Sequence, residues 1–206
     1  MQFLRLILVF GLVIIAFVGG TVFMTLAFQG PREQPLHAMV LPQSRALPQF
    51  SLLDQDGAKF DTESLRDQWS LLFFGFTHCP DICPATLTQL AIARSRVLHE
   101  KKSTFPNIVL ISVDPERDTP EVLAEYIGHF GDRVTGVTGP IDELRKLTSA
   151  LGIYFEKSVG ENGNYNVDHS AVVIVINKNA EFHALFSAPH TIDHFVEDMP
   201  LITEST

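Results

Sequence analysis

Cysteine is almost absent from these 206 residues: there are two, Cys79 and Cys83. Neither has a third to pair with, so the disulfide framework that staples small secreted domains is excluded. Basic charge is also scarce. Lys and Arg number 15 against 24 Asp and Glu, for a formal net charge of -9. A chain that neutralises phosphates needs the opposite balance, so nucleic acid is not an expected partner. The acid excess reads as a solvated surface that favours solubility. There is no internal repeat and no low-complexity tract. A composition 46% hydrophobic and 19% charged belongs to a chain that folds a real core.

Charge is missing altogether from one stretch. Between Leu6 and Phe28 no residue is charged, and most are Leu, Ile, Val, Phe or Ala. A helix of ~20 apolar residues crosses a ~30 Å hydrocarbon core, so this run is long enough to span. A removed signal peptide has a shorter apolar region and a small-residue cleavage site. Residues 1–28 are therefore read as an uncleaved transmembrane anchor. No cysteine follows the run, so a lipid-modified N-terminus is not expected either. Arg5 precedes it, and Arg32 beyond it is offset by Glu33, which gives the positive-inside rule little to count. The short leading segment places the tail in the cytoplasm. The expected location is a bacterial inner membrane, with the folded part facing the periplasm. Residues 29–47 carry Pro31, Pro35 and Pro42 and read as a semi-rigid linker. The folded domain is expected over 48–206.

Within that domain strands alternate with helices. Asp56-Gly57 predicts a hairpin turn between strands at Phe50–Leu53 and Ala58–Phe60. Leu71 to Phe76 is continuously apolar, as a central strand buried on both faces should be. A helix follows over about Pro84–Glu100, with Leu87, Leu90, Ala91 and Val97 on one face. Ile108–Val113 is a second buried strand. Thr119-Pro120 opens another helix, with Thr as cap and Pro at the first helical position. A short strand at Val134–Thr138 and a helix ending at Gly152 come next. Ala171–Ile176 and Glu181–Phe186 form a closing hairpin, and a short helix covers Thr191–Met199. The expected class is α/β: a mixed sheet flanked by helices, similar to a thioredoxin-like fold with an added N-terminal hairpin and the N-terminal transmembrane helix.

Both cysteines lie in Phe74-Gly-Phe-Thr-His-Cys-Pro-Asp-Ile-Cys-Pro84. Buried, inert thiols are a common fate for cysteine. Here Pro80 and Pro84, with the polar His78 and Asp81, argue against an apolar burial site. Pro84 suits a first helical turn, with Cys83 near the cap. The pair then sits between the end of a buried strand and a helix N-terminus, whose partial positive charge favours thiolate. The carboxyl end of a central strand is also where open α/β sheets bind ligands. Two thiolates select a soft ion, Cu(I) or Zn(II), and imidazole suits copper.

Eight histidines could supply it. His169 stands out because it directly precedes the strand Ala171–Ile176, after a Gly- and Asn-rich stretch at 160–166. In a thioredoxin-like sheet the loop leading into that strand faces the cysteine loop. Thiol-disulfide oxidoreductases carry a cis-proline there, and this chain has none. His78 is a weaker candidate, better suited to a supporting place. His183, His190 and His194 read as surface residues, and His37, His99 and His129 as linker or surface positions.

Three segments in order, Phe76-Thr-His-Cys-Pro-Asp-Ile-Cys-Pro84, Ser112-Val-Asp-Pro-Glu-Arg-Asp-Thr-Pro120 and Val167-Asp-His-Ser170, resemble the Sco/SenC family. The resemblance covers essentially the whole chain. It implies a metallochaperone that delivers copper to the Cu(A) centre of cytochrome c oxidase. The implied ligands are Cys79, Cys83 and His169, with Asp168 as a nearby acid and Asp114 shaping the site. The implied partners are the oxidase subunit carrying Cu(A) and a copper donor protein. A second reading keeps the same cysteines as a thiol-disulfide oxidoreductase acting on the copper acceptor. A third, a peroxidase of the peroxiredoxin type, fits the paired prolines and the placed histidine poorly.

Overall fold

The computed structural model describes residues 10–12, 14–21, 34–101, 103–131, 133–159 and 164–204. The chain divides into two compact units, residues 1–34 and 35–206. In the first, positions 10–12 and 14–21 are helical. Phe10, Leu12, Ile14, Ile15, Phe17 and Val18 on it are all exposed. No helix among the described residues is long and apolar enough to cross a membrane. The remainder of the expected 1–28 anchor lies outside the described residues, as do 29–33 of the linker.

The second unit is built on an eight-stranded sheet. Its strands are β1 (Met39–Ala46), β2 (Ser51–Asp54), β3 (Lys59–Asp61), β4 (Ser70–Gly75), β5 (Asn107–Ser112), β6 (Val134–Thr138), β9 (Val172–Ile176) and β10 (Glu181–Ser187), in the order β1-β10-β9-β4-β5-β6-β2-β3. A separate two-stranded sheet pairs β7 (Phe155–Val159) with β8 (Tyr165–His169). The helices are α1 (Ile82–Arg96), α2 (Pro120–Gly128), α3 (Ile141–Leu151) and α4 (Ile192–Glu204). Strands β4, β5 and β6 run parallel, and β9 lies antiparallel against the other side of β4. Every residue of β4 is buried, which is why its sequence lacks the alternation of a one-faced strand. Helix α1 packs against α4, and α2 against β6. This is the mixed, helix-flanked sheet expected from the sequence.

The β2–β3 hairpin turns where Asp56-Gly57 predicts. Gly57 takes φ +75°, a left-handed conformation that glycine adopts without steric cost. Asp54 Oδ1 accepts from the Asp56 and Ala58 amides at 2.9 and 2.8 Å.

Two elements differ from expectation. Residues 39–46, read as linker, form β1, which pairs with β10 (Met39 with Leu185, Ala46 with Glu181). The register shifts between Val40 and Arg45, the segment that contains Pro42. β1 is an edge strand with an irregular register, a setting in which a missing N–H is tolerated. The prolines thus mark an edge, and the folded unit starts near Pro35. The second addition is the β7–β8 hairpin. Its exposed Glu156, Lys157, Asn166 and Asp168 hide the apolar signal of a strand. Residues 160–163, part of the expected flexible loop before His169, lie outside the described residues.

One buried carboxylate secures the start of the unit. Asp198 of α4 is 1% exposed and accepts three successive backbone amides, Leu36 at 3.0 Å and His37 and Ala38 at 2.7 Å. Replacing Asp198 with Ala leaves those donors unpaired where the chain joins β1. The expected loss is about 3 kcal/mol, seen as a lower urea midpoint with an unchanged slope. An unaltered midpoint would contradict this anchoring role.

Candidate metal centre

The site is assembled where β4 ends. Beyond Gly75 the chain turns tightly, and the Cys79 amide donates to the Phe76 carbonyl at 3.2 Å. Asp118, fully buried, accepts from the Thr77 amide at 3.0 Å, the Thr77 hydroxyl at 2.6 Å and the Ser112 hydroxyl at 2.6 Å. One carboxylate therefore ties the cysteine loop to the end of β5. Helix α1 starts at Ile82 with Asp81 as N-cap, two residues before the expected Pro84. Pro84 falls in the first turn, where its missing N–H has no helical partner to lose.

Cys83 points inward from that turn, with no exposed surface, while Cys79 is half-buried. The close approach depends on Gly75: a Cβ there would lie 2.8 Å from Cys83 Sγ. His169, the last residue of β8, arrives from the other side. The two Sγ atoms and an imidazole nitrogen all lie within 4.8 Å of one another. Among the described residues this is the only such gathering of metal-ligating side chains. Phe73 and Phe76 meet the imidazole edge-on, at centroid distances of 6.1 and 5.8 Å, and fix its plane. His169 Nδ1 lies 3.3 Å from the Ser170 carbonyl and Nε2 lies 3.4 Å from Cys83 Sγ. With the ring proton on Nδ1, donated to Ser170, Nε2 presents its lone pair to the sulfur.

Electrostatics corrects one expectation. The helix terminus was expected to favour thiolate; instead burial pushes the Cys83 thiol well above its ordinary range. Burial also pushes the His169 imidazolium below its ordinary range. Desolvation outweighs the helix dipole because Cys83 faces the core rather than the cleft. The metal-free centre is thus a neutral thiol donating to a neutral imidazole. A cation brings the charge that makes thiolate favourable there, and its binding displaces a proton. Two sulfurs and one nitrogen suit a soft ion of low coordination number. A cleft of about 300 Å³, lined by Cys79, Pro80, Ile82, Asp168 and His169 among others, opens the site to solvent.

The other expected residues are placed less centrally. Asp81 and Asp168 are exposed at the rim of this cleft. His78 is exposed, with Nδ1 3.0 Å from the Thr77 hydroxyl, and is not one of the gathered donors. Asp114 is buried, yet it pairs with Arg117 and accepts from the Tyr165 hydroxyl at 2.9 Å. The carboxylate bonded to the cysteine loop is Asp118, which sequence reasoning passed over although it lies in the same segment. Its signal was the spacing to Ser112, the last residue of β5, six positions earlier. Gly75 was missed too, because a glycine in an apolar strand does not announce what it leaves room for. His190 is buried rather than on the surface, with Nε2 3.1 Å from the Ala171 carbonyl. His183 is half-buried, edge-on to Trp69 and 2.9 Å from the Ser44 hydroxyl.

Comparison with known proteins points in one direction. The family described as SCO1/SenC matches residues 40–203. A proposed copper-binding protein of Stutzerimonas stutzeri is 35% identical over 169 residues, 82% of each chain. The crystal structure of Arabidopsis thaliana ScoI with copper bound is similar at a TM-score of 0.73 and 32% identity, over 78% of this chain and 99% of that one. Yeast Sco1 with copper bound gives 0.68 and 29%, over 75% and 86%.

The dependence of Cys83 on Gly75 can be tested directly. Gly75→Ala forces Sγ aside or strains β4, at about 1–3 kcal/mol. Affinity for a soft metal should fall by about tenfold or more, measured by chelator competition beside an unfolding curve of the metal-free protein. Undiminished affinity would show that the sulfur does not need this gap.

Proposed function

This chain belongs to the SCO1/SenC family, and from that premise we propose that it binds copper through Cys79, Cys83 and His169 and delivers it to the Cu(A) centre of cytochrome c oxidase. The observation that carries this reading is the gathering of those three donors within 4.8 Å. Thiolates and an imidazole in that number favour Cu(I) over harder ions. The residues divide the work of holding and releasing the ion. Cys83, enclosed by the core, is the last donor a partner can reach. Cys79 lines the open cleft, where an acceptor's ligand can replace it. His169 belongs to a hairpin outside the main sheet and can withdraw without disturbing the ladders of the eight-stranded sheet. Asp81 and Asp168 at the cleft rim give an acceptor polar groups to meet.

We further propose that residues 1–28 anchor the protein in the bacterial inner membrane with residues 35–206 in the periplasm. The uncharged run from Leu6 to Phe28 and the exposed Phe10, Leu12, Ile14, Ile15, Phe17 and Val18 support this. A linker at 29–34 is then shorter than the prolines suggest.

One observation keeps the second reading in view. Both cysteines are free thiols, with one at the cleft and one behind it, the arrangement a dithiol needs to resolve a mixed disulfide. A single experiment separates the two. Protein carrying one equivalent of Cu(I) is mixed in twofold excess, without oxygen, with the metal-free, reduced Cu(A)-bearing subunit, the two proteins are separated, and the copper on the subunit is measured. Transfer is expected from the unaltered chain and not from Cys79→Ser or Cys83→Ser. If no transfer occurs, and the copper-free chain instead reduces a disulfide of that subunit, the oxidoreductase reading replaces this one.

A further inference from the structure

We propose that Arg117 and Tyr165 form a latch that positions His169, and that opening it turns a three-donor copper site into a two-sulfur site that gives up its ion faster. This rests on the copper-binding reading above. The β7–β8 hairpin that carries His169 pairs with itself and not with the eight-stranded sheet. The nearest ladder to the main sheet begins three residues on, at Val172 of β9, which pairs with β4. Side chains complete the placement of the imidazole relative to the sulfurs.

Alternation along β8 puts Tyr165, Val167 and His169 on one face, and Val167 on that face is buried. Tyr165 is gripped from the segment that follows β5. The Arg117 guanidinium lies 3.8 Å from the Tyr165 ring centroid, and its Nη1 donates to the Tyr165 carbonyl at 3.3 Å. Asp114 orients the guanidinium through Nε and also accepts the Tyr165 hydroxyl at 2.9 Å. Lys157 of β7 adds a second cation, 3.7 Å from the same ring centroid, and its ammonium meets Glu116 at 2.7 Å. A planar guanidinium can stack on a ring and donate in its own plane at once, which an ammonium cannot.

The latch also reaches the cysteines. Phe76, in the loop that carries Cys79, has the Arg117 guanidinium 5.7 Å from its ring centroid and the His169 ring 5.8 Å away. Arg117 thus touches both halves of the centre without touching any of the three donors. It is a positioning residue. Its hold is worth about one cation–π contact, enough to change a release rate by about tenfold.

The test uses the whole chain and four variants at Arg117 and His169. Cu(I) release to a Cu(I)-selective bidentate chelator is followed without oxygen for the unaltered chain, Arg117→Ala, Arg117→Lys and His169→Ala. The double replacement of Arg117 and His169 by Ala completes the cycle. Release should be about tenfold faster for Arg117→Ala, intermediate for Arg117→Lys, and no faster in the double variant than in His169→Ala alone. A residue that only stabilises the fold would instead speed release by the same factor in both backgrounds, and that result overturns the latch. So does release from Arg117→Ala at the unaltered rate while His169→Ala is fast. If His169→Ala itself releases at the unaltered rate, the three-donor copper reading fails. The positioning claim is then decided by NMR relaxation of the His169 imidazole in the metal-free chain. Arg117→Ala should raise its mobility, and unchanged relaxation overturns the latch there too. Should Arg117→Ala not fold, Tyr165→Leu is expected to follow it in both measurements. Tyr165→Phe, which keeps the ring, is expected to stay near the unaltered chain.

Discussion

The gap above Gly75 is the constraint on which the centre depends. β4 is buried along its whole length, and its last residue is the glycine that leaves room for a sulfur on the core side. Cys83 Sγ fills that space 2.8 Å from where a Cβ would stand. With one sulfur fixed in the core, the rest of the geometry follows from two tethers. Asp118 binds the cysteine loop to the end of β5 through three hydrogen bonds. The aromatic edges of Phe73 and Phe76 receive the imidazole on the other side.

The same burial sets the charge of the metal-free centre. Desolvation holds the Cys83 proton on and keeps His169 neutral. Charge therefore enters with the metal, as thiol protons leave. Two thiolates and one imidazole select a soft ion through ligand type and low coordination number rather than through net charge. Exchange remains practical because Cys79 lines the cleft and His169 stands on a separate hairpin.

Much of this was legible in the sequence because it is written in local patterns. The apolar run 71–76 announces β4, Asp56-Gly57 the β2–β3 turn, and Thr119-Pro120 the start of α2. The Cys-x-x-x-Cys spacing with Pro84 puts both sulfurs at a strand end, and His169 is set apart by the strand it precedes. What stayed hidden depends on partners remote in sequence. β1 looks like linker until β10 is present to pair with its one free edge. The β7–β8 hairpin buries few side chains of its own, so no period marks it. Asp114 and Asp118 are four residues apart in one motif, and only the fold shows that Asp118 holds the cysteine loop while Asp114 holds Arg117 and Tyr165. The Cys83 thiol was expected to ionise because a helix dipole can be read from sequence and the degree of burial cannot.

The central claim is that Cys79, Cys83 and His169 together hold one copper ion. X-ray absorption spectroscopy at the copper edge of the Cu(I)-loaded protein tests it most directly. The account predicts a three-coordinate Cu(I) edge feature and a first shell of two sulfurs and one imidazole nitrogen. In the His169→Ala variant the imidazole scattering should be absent. A sulfur-only shell in the unaltered protein, or an imidazole signal that persists without His169, would contradict it.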